Sequence, residues 1–301
     1  MATGPTGPIH PTPPPPPPPR LTAEDLYRLT FPHLADADRQ SRAAIEPALK
    51  PLDDLFQGAR SRSRYFADDI VGMSSMWRAA VDLVPGTSGD RLKQYVRRCL
   101  EERIFTERAV QQAVEQCVRD YQRTLEAIDN QLLVRIQRDF HSRLADNQLG
   151  SFADSTLLQR EYQRLVRRMV AEATDEAIRG VTDLVILEVI NTVLIQLAAR
   201  SGVTTVILGA GATSALSSGG VSILVSTVIA FIVDRIYNWV TDPAGQLADK
   251  LNQSLDEVHR TLVRGTQGSP GLHAALEEVA RNRHELRQRV IRNLIVEEIQ
   301  P

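Results

Sequence analysis

The stretch TERAVQQAVEQCVRDYQRTLEAIDNQLLVRIQRDFHSRL, residues 106–144, decides the fold class of this 301-residue chain. Its apolar side chains recur every three or four residues, as on one face of an α-helix. This stripe consists of Val110, Val114, Cys117, Tyr121, Leu125, Ile128, Leu132, Ile136, Phe140 and Leu144. From Val110 to Leu144 the stripe covers 34 residues in nine intervals. The mean spacing between apolar residues is therefore larger than the 3.5 residues of a heptad repeat. We therefore predict a long, nearly straight bundle helix that opens near Thr106, rather than a tight coiled-coil dimer.

A second helical pattern follows after a turn predicted at residues 146–151. Its apolar positions are Leu158, Tyr162, Leu165, Val166, Met169, Val170, Ala173, Ala177, Ile178 and Val181. Two long helices joined by a short connection favour packing as antiparallel neighbours. The sequence thus predicts a helical hairpin.

The N-terminal part contains most of the prolines. Residues 1–20 hold ten of the 17 prolines, which predicts a disordered polyproline II tail over residues 1–21. From Thr22 onward apolar residues return at helical spacing, and we expect Pro32, Pro47 and Pro51 to divide the chain into short helices. A stronger helix is predicted over residues 65–84, then a loop over 86–90 and a further helix before Thr106.

An uncharged segment, SGVTTVILGAGATSALSSGGVSILVSTVIAFIV, fills residues 201–233 between Arg200 and Asp234. The part over 214–233 is long enough to cross a hydrocarbon core of about 30 Å as a helix that rises about 1.5 Å per residue. Tyr237 and Trp239 follow it, and such amphipathic rings favour the headgroup interface. We therefore predict a membrane-active segment over residues 201–240.

Two groups of side chains in this segment have different predicted roles. Small residues that allow close helix packing are Gly209, Gly211, Ser214, Ala215, Gly219 and Gly220. Residues expected to contact lipid are Val221, Ile223, Leu224, Val228, Ile229, Phe231 and Ile232. Two alternatives stay open: a re-entrant hairpin that turns at residues 217–220, and a hairpin buried as the core of a soluble bundle.

The C-terminal part predicts two amphipathic helices. Asp242 and Pro243 form a typical helix start, since the carboxylate caps free N–H groups and proline suits the first turn. A polar break over residues 265–271 separates this helix from the last one. The pair is expected either to pack as a hairpin on the bundle or to present a seam to a partner.

Charge and motifs exclude several function classes. A formal net charge of -2 disfavours a dedicated nucleic-acid binder. Cys99 and Cys117 predict two free thiols and a reducing compartment, and the N-terminus lacks the pattern of a secretory signal. His273, Glu277 and His284 share a helical face, but their spacing is too open for a metal site. Gly209 and Gly211 match only part of a dinucleotide fingerprint.

The sequence therefore predicts an all-α protein that is not an enzyme and has no cofactor, metal or small-molecule substrate. We expect a tail over residues 1–21, a helical bundle or stalk over 22–200, the membrane-active segment over 201–240 and a helical hairpin over 241–301. This layout is similar in outline to α-helical pore-forming proteins, which implies membrane insertion with self-association. In the absence of a secretory signal pattern, we expect the protein on the cytoplasmic side of its membrane. The alternative is a soluble helical scaffold that binds partner proteins.

Overall fold

The computed structural model describes residues 21–81, 88–144, 149–172, 242–266 and 269–299. These residues are helical apart from short connections and two strands of two residues each, so the prediction of an all-α protein is confirmed. The helices are α1 (Ala23–Ala43), α2 (Ile45–Ala48), α3 (Lys50–Val81), α4 (Ser88–Arg103), α5 (Glu107–His141), α6 (Ser155–Glu172), α7 (Pro243–Arg264) and α8 (Leu272–Ile299). A 3-10 turn, Gly150–Ala153, precedes α6, and antiparallel strands β1 (Gly265–Thr266) and β2 (Ser269–Pro270) join α7 to α8.

Helix α5 forms where its apolar stripe predicted it. The Thr106 hydroxyl accepts a hydrogen bond of 3.1 Å from the backbone N–H of Ala109 and so caps the helix. Every member of the stripe is buried except Leu144, which is half-buried. With 35 residues, α5 is about 52 Å long and runs through most of the bundle.

The hairpin of α5 and α6 is confirmed by its register. The Gln137 amide donates to the carbonyl of Phe152 at 3.1 Å, and the Gln159 amide donates to Asn130 at 2.9 Å. The contact earlier on α5 is made by the residue later in the hairpin's second arm, so the two helices are antiparallel. The predicted extension of α6 beyond residue 172 lies outside the described residues.

Helices α1 and α5 are also antiparallel. His33 contacts Asp139 at 2.8 Å, and the Tyr121 hydroxyl donates to the carbonyl of Ser41 at 3.1 Å. Since α5 also runs opposite to α6, α6 points in the same direction as α1.

The two C-terminal helices return along the N-terminal ones. Asp242, at the start of α7, contacts Arg64 of α3, whereas His259, near the end of α7, contacts Asp53. Helix α8 then runs antiparallel to α1. Thus α7 packs mainly on α3, and α8 packs mainly on α1. The contact between α7 and α8 is smaller than either of these.

Two hydrophobic cores lie one after the other along the bundle. The first joins α2, α3, α4, α7, the N-terminal half of α5 and the first turns of α8. The second joins α1, α6, the C-terminal half of α5 and the last turns of α8. The division falls between Leu125 and Ile128 on α5 and between Ala280 and Leu286 on α8.

The prediction that Pro32 interrupts the first helix is wrong, because α1 continues through it. A proline leaves the carbonyl four residues earlier, here that of Arg28, without its usual N–H donor. Both residues are exposed, so water supplies the missing donor at little cost. The prediction of short helices also fails after Pro51. That proline occupies the first turn of α3, where backbone N–H groups need no helical acceptor, and α3, which is 32 residues long, continues to Val81.

Candidate functional site

The predicted packing and membrane residues, from Gly209 to Trp239, all belong to residues 173–241 and lie outside the described residues. Among the helices that the structure describes, none is both long and apolar enough to cross a bilayer. The described residues do include both attachments of this part of the chain. These are α6, which ends at Glu172, and α7, which begins at Pro243.

Helix α6 runs toward the same end of the bundle at which α7 begins. Helix α6 runs opposite to α5 and therefore toward the connection between α4 and α5. Helix α7 begins at that same end, because Asp242 contacts Arg64, and the neighbouring Arg62 donates to the carbonyl of Ile104 at 2.6 Å. We call the place where Arg64, Ile104 and Asp242 meet the junction end. The chain leaves along α6 toward the junction end and returns from it along α7.

Asp242 fixes the start of α7 at the junction end. Its Oδ1 accepts a hydrogen bond of 3.0 Å from the N–H of Gly245, so the prediction of an aspartate cap followed by proline is confirmed. The backbone of Asp242 has a φ of 53°, in the left-handed region that an aspartate tolerates better than most residues.

The same carboxylate receives both ends of the Arg64 guanidinium. Nη1 and Nη2 of Arg64 donate to Oδ2 and Oδ1 of Asp242, each at 3.1 Å, in the fork geometry that arginine offers to carboxylates. These hydrogen bonds, together with the one from Gly245, hold the pKa of Asp242 below its usual value. Asp242 therefore remains ionised down to a lower pH than a free aspartate.

Gly245 completes this arrangement because a larger residue there would displace the paired side chains of Asp242 and Arg64. A Cβ atom at position 245 would lie 2.2 Å from Oδ2 of Asp242 and 2.7 Å from Nη1 of Arg64. The sequence pattern identified Asp242 as the helix cap but did not identify Arg64 or Gly245 as its partners. The glycine three residues after the cap was a local signal, whereas Arg64 lies 178 residues away in sequence and gave none.

Neighbouring arginines of α3 and α4 stabilise the rest of the junction end. Nε of Arg62 donates to the carbonyl of Arg103 at 2.7 Å, so this side chain satisfies free carbonyls at the end of α4. Arg103 in turn pairs with Asp69 of α3 at 3.1 Å. The basic residues described at this end thus hold its helices together.

A buried ionic cluster lies at the end of the second core that faces the first. Asp129 of α5 accepts from Nε of Arg287 at 2.5 Å and from Nε of Arg283 at 2.9 Å, both on α8. Arg287 also donates to the Ser41 hydroxyl of α1 at 2.9 Å. The side chains of Asp129 and Arg287 are 1% and 0% exposed. We call these four residues the central tie, since they connect α1, α5 and α8 through charged and polar side chains beside the second core.

Tyr162 of α6 lies beside the central tie. Burial, reinforced by the negative charge of Asp129, raises the pKa of Tyr162, so its hydroxyl stays protonated. With Asp129 and Arg287 inaccessible to solvent, the central tie has no route for a substrate. Its role is to hold helices together.

The candidate reactive residues are arranged unfavourably for chemistry. Cys99 and Cys117 are both free thiols, as predicted, and burial raises the pKa of Cys117 to about 11. His273 lies 3.8 Å from Glu277, but His284 contacts Gln288 instead. Across the described parts of the chain, His, Cys, Asp and Glu side chains form no group of three that could hold a metal ion.

Comparisons with protein-family models, curated proteins and solved structures found no match for this chain. Two features of the described residues bear on function. Helix α6 runs toward the junction end, and α7 begins there. The central tie joins α1, α5 and α8 through buried charges.

Proposed function

We propose that this chain is a non-enzymatic, membrane-associated protein. Its helical bundle inserts the apolar segment over residues 201–240 into a lipid bilayer, where the segment associates with further copies. The observation that carries this proposal is the direction of the two attachments, because α6 runs toward the junction end and α7 starts there. Because α6 and α7 pack with the same helices, an inserted segment between them has to leave and return on one side of the bilayer, as a re-entrant hairpin does and a single crossing over 214–233 does not.

The packing of the described helices supports the proposal. The apolar stripes of α5, α7 and α8 are buried against other described helices within the two cores. The rival function, a soluble scaffold built around residues 201–240, would need that segment to cover these stripes. Because described helices already cover these stripes, the proposal assigns the apolar segment to lipid rather than to the core.

The position of the aromatic residues fits the same arrangement. Trp239 precedes Asp242 by only three residues in sequence. Since Asp242 is held to α3 by Arg64, a headgroup interface set by Trp239 would lie close to the junction end. The body would then meet the membrane surface at that end.

The proposal is tested by fractionating cells that express the full chain, a chain lacking residues 201–240, and Ile229→Arg. We expect the full chain in the integral membrane pool, resistant to carbonate, and both altered chains in the soluble pool. An arginine in a lipid-facing stretch costs about 2.5–3.5 kcal/mol or more at the bilayer centre, which opposes insertion. The control is Val134→Arg, which adds the same charge at a side chain that is 49% exposed on α5.

Two results would contradict the proposal. One is an Ile229→Arg chain that stays folded and still behaves as an integral membrane protein. The other is a soluble full chain together with an aggregating deletion, which would establish the segment as a core and favour the soluble scaffold. For self-association, Gly219→Leu with Gly220→Leu should reduce cross-linked oligomers in membranes without releasing the chain, because bulky side chains prevent close packing.

A further inference from the structure

A polar cleft of about 720 Å³ lies among α2, the start of α3, the end of α7 and the start of α8. Its lining includes Glu46, Asp53, His259, Arg260, Arg264 and His273. Asp53 precedes Arg64 on α3 by eleven residues, so the cleft lies about 16 Å along this helix from the junction end. It is separate from the proposed membrane attachment.

The acidic side chains of the cleft are already engaged by histidines. Asp53 contacts Nε2 of His259 at 2.8 Å, and Glu46 lies 3.5 Å from Nε2 of His273. His273 also faces Glu277, at 3.8 Å. The negative charges in and beside the cleft are therefore directed at imidazoles.

The basic side chains are differently placed. Arg260 and Arg264 are one helical turn apart on α7, and both are exposed. Within the part of the chain that the structure describes, neither forms a hydrogen bond or an ion pair. Two neighbouring guanidinium groups at a cleft offer paired donors in the fork geometry that suits phosphate and carboxylate oxygens.

The remaining surfaces complement an organic anion. Leu49, Val263 and Ala274 supply apolar lining beside the arginines. The first turn of α8, which includes Ala274, has no acidic residue of its own, so the positive end of its helix dipole contributes to the attraction for an anion. A ligand with an anionic group and an apolar body matches both parts of the lining.

We propose that this cleft binds a small organic anion, a phosphate or carboxylate group attached to an apolar body. Arg260 and Arg264 bind the anionic group, and Leu49, Val263 and Ala274 contact the apolar body. His259 and His273 remain paired with Asp53 and Glu46 and complete the lining. This site is independent of the membrane proposal, since none of its residues belongs to residues 201–240.

Isothermal titration of the full chain, in detergent where fractionation requires it, tests the site with phenyl phosphate, benzoate and inorganic phosphate. We expect saturable binding of phenyl phosphate or benzoate, whichever anionic group the cleft accepts, and at least tenfold weaker binding of inorganic phosphate. The double variant Arg260→Gln with Arg264→Gln should raise the dissociation constant of the probe that binds by about tenfold or more. Arg123→Gln is the matched control, because Arg123 is 72% exposed on α5 and does not line the cleft.

The double variant should unfold at the same temperature as the original chain, because both arginines are exposed and form no ion pair among the described residues. Should it melt lower, Arg264→Gln alone repeats the titration. The site is overturned if neither organic probe saturates, or if the arginine variants bind as tightly as the Arg123→Gln control. Equal affinity for inorganic phosphate and phenyl phosphate would overturn the apolar part of the site.

Discussion

The Arg64 guanidinium on α3 and the Asp242 carboxylate at the start of α7 form two parallel hydrogen bonds, each 3.1 Å long. This fork holds the start of α7 against α3. The same carboxylate caps α7, so one side chain holds both the position and the first turn of the returning helix. Changes at this contact should therefore affect the bundle and the membrane attachment together.

Gly245→Ala should destabilise the protein by about 1–3 kcal/mol, because the added methyl group overlaps Asp242 and Arg64. Urea unfolding followed by circular dichroism measures the loss. The control is Gly72→Ala in α3, where a Cβ meets nothing within 4 Å and alanine should stabilise the helix by about 0.5–1 kcal/mol. Equal stability of the two variants would show that Gly245 is not sterically required.

The charge pair at the junction end should make the free energy of unfolding depend on pH in the acidic range. Because the folded pKa of Asp242 lies below its unfolded value of 3.8, its contribution to the free energy of unfolding is complete above that value. The contribution disappears as pH falls through the lower folded pKa. Asp242→Asn should thus be less stable than the original chain at pH 6, and the difference should shrink toward pH 3. A difference that stays constant over this range would contradict the assigned charge pairing.

Removal of the Asp129 carboxylate from the central tie should strongly reduce the free energy of unfolding. Asp129→Ala leaves the buried Arg287 without its partner and should cost about 3–5 kcal/mol in urea unfolding. Asp120→Ala on the same helix removes a carboxylate that is 38% exposed, and its cost should stay below about 1 kcal/mol. Combining Asp129→Ala with Arg287→Met should recover part of the loss. If the two single aspartate variants unfold alike, the tie is not a stabilising element.

The two thiols should differ in reactivity. Cys117 is 0% exposed and burial raises its pKa to about 11, whereas Cys99 is only half-buried. Alkylation at pH 8 followed by mass spectrometry should label Cys99 in the native protein and Cys117 only after unfolding. Cys99→Ser should remove native labelling. Native labelling that persists in this variant would show that the helices around Cys117 open readily.

Local signals predicted much of the fold. The stripe of α5 and its start at Thr106 follow from residue spacing and from one hydroxyl three residues before the N–H that it caps. The start of α7 at Asp242 and Pro243 was predictable for the same reason. Each of these features depends on residues within one or two helical turns, so the sequence itself carries the information.

The tertiary structure decided which surfaces meet. An apolar stripe shows that a face is buried but does not identify the helix that covers it, so the packing of α7 on α3 and of α8 on α1 had no sequence signal. Asp129 and Arg287 look like solvated surface charges in sequence, since their pairing spans 158 residues. Arg64 and Asp242 are similarly distant. Only folding brings such charges together, because their attraction depends on distance in space rather than along the chain.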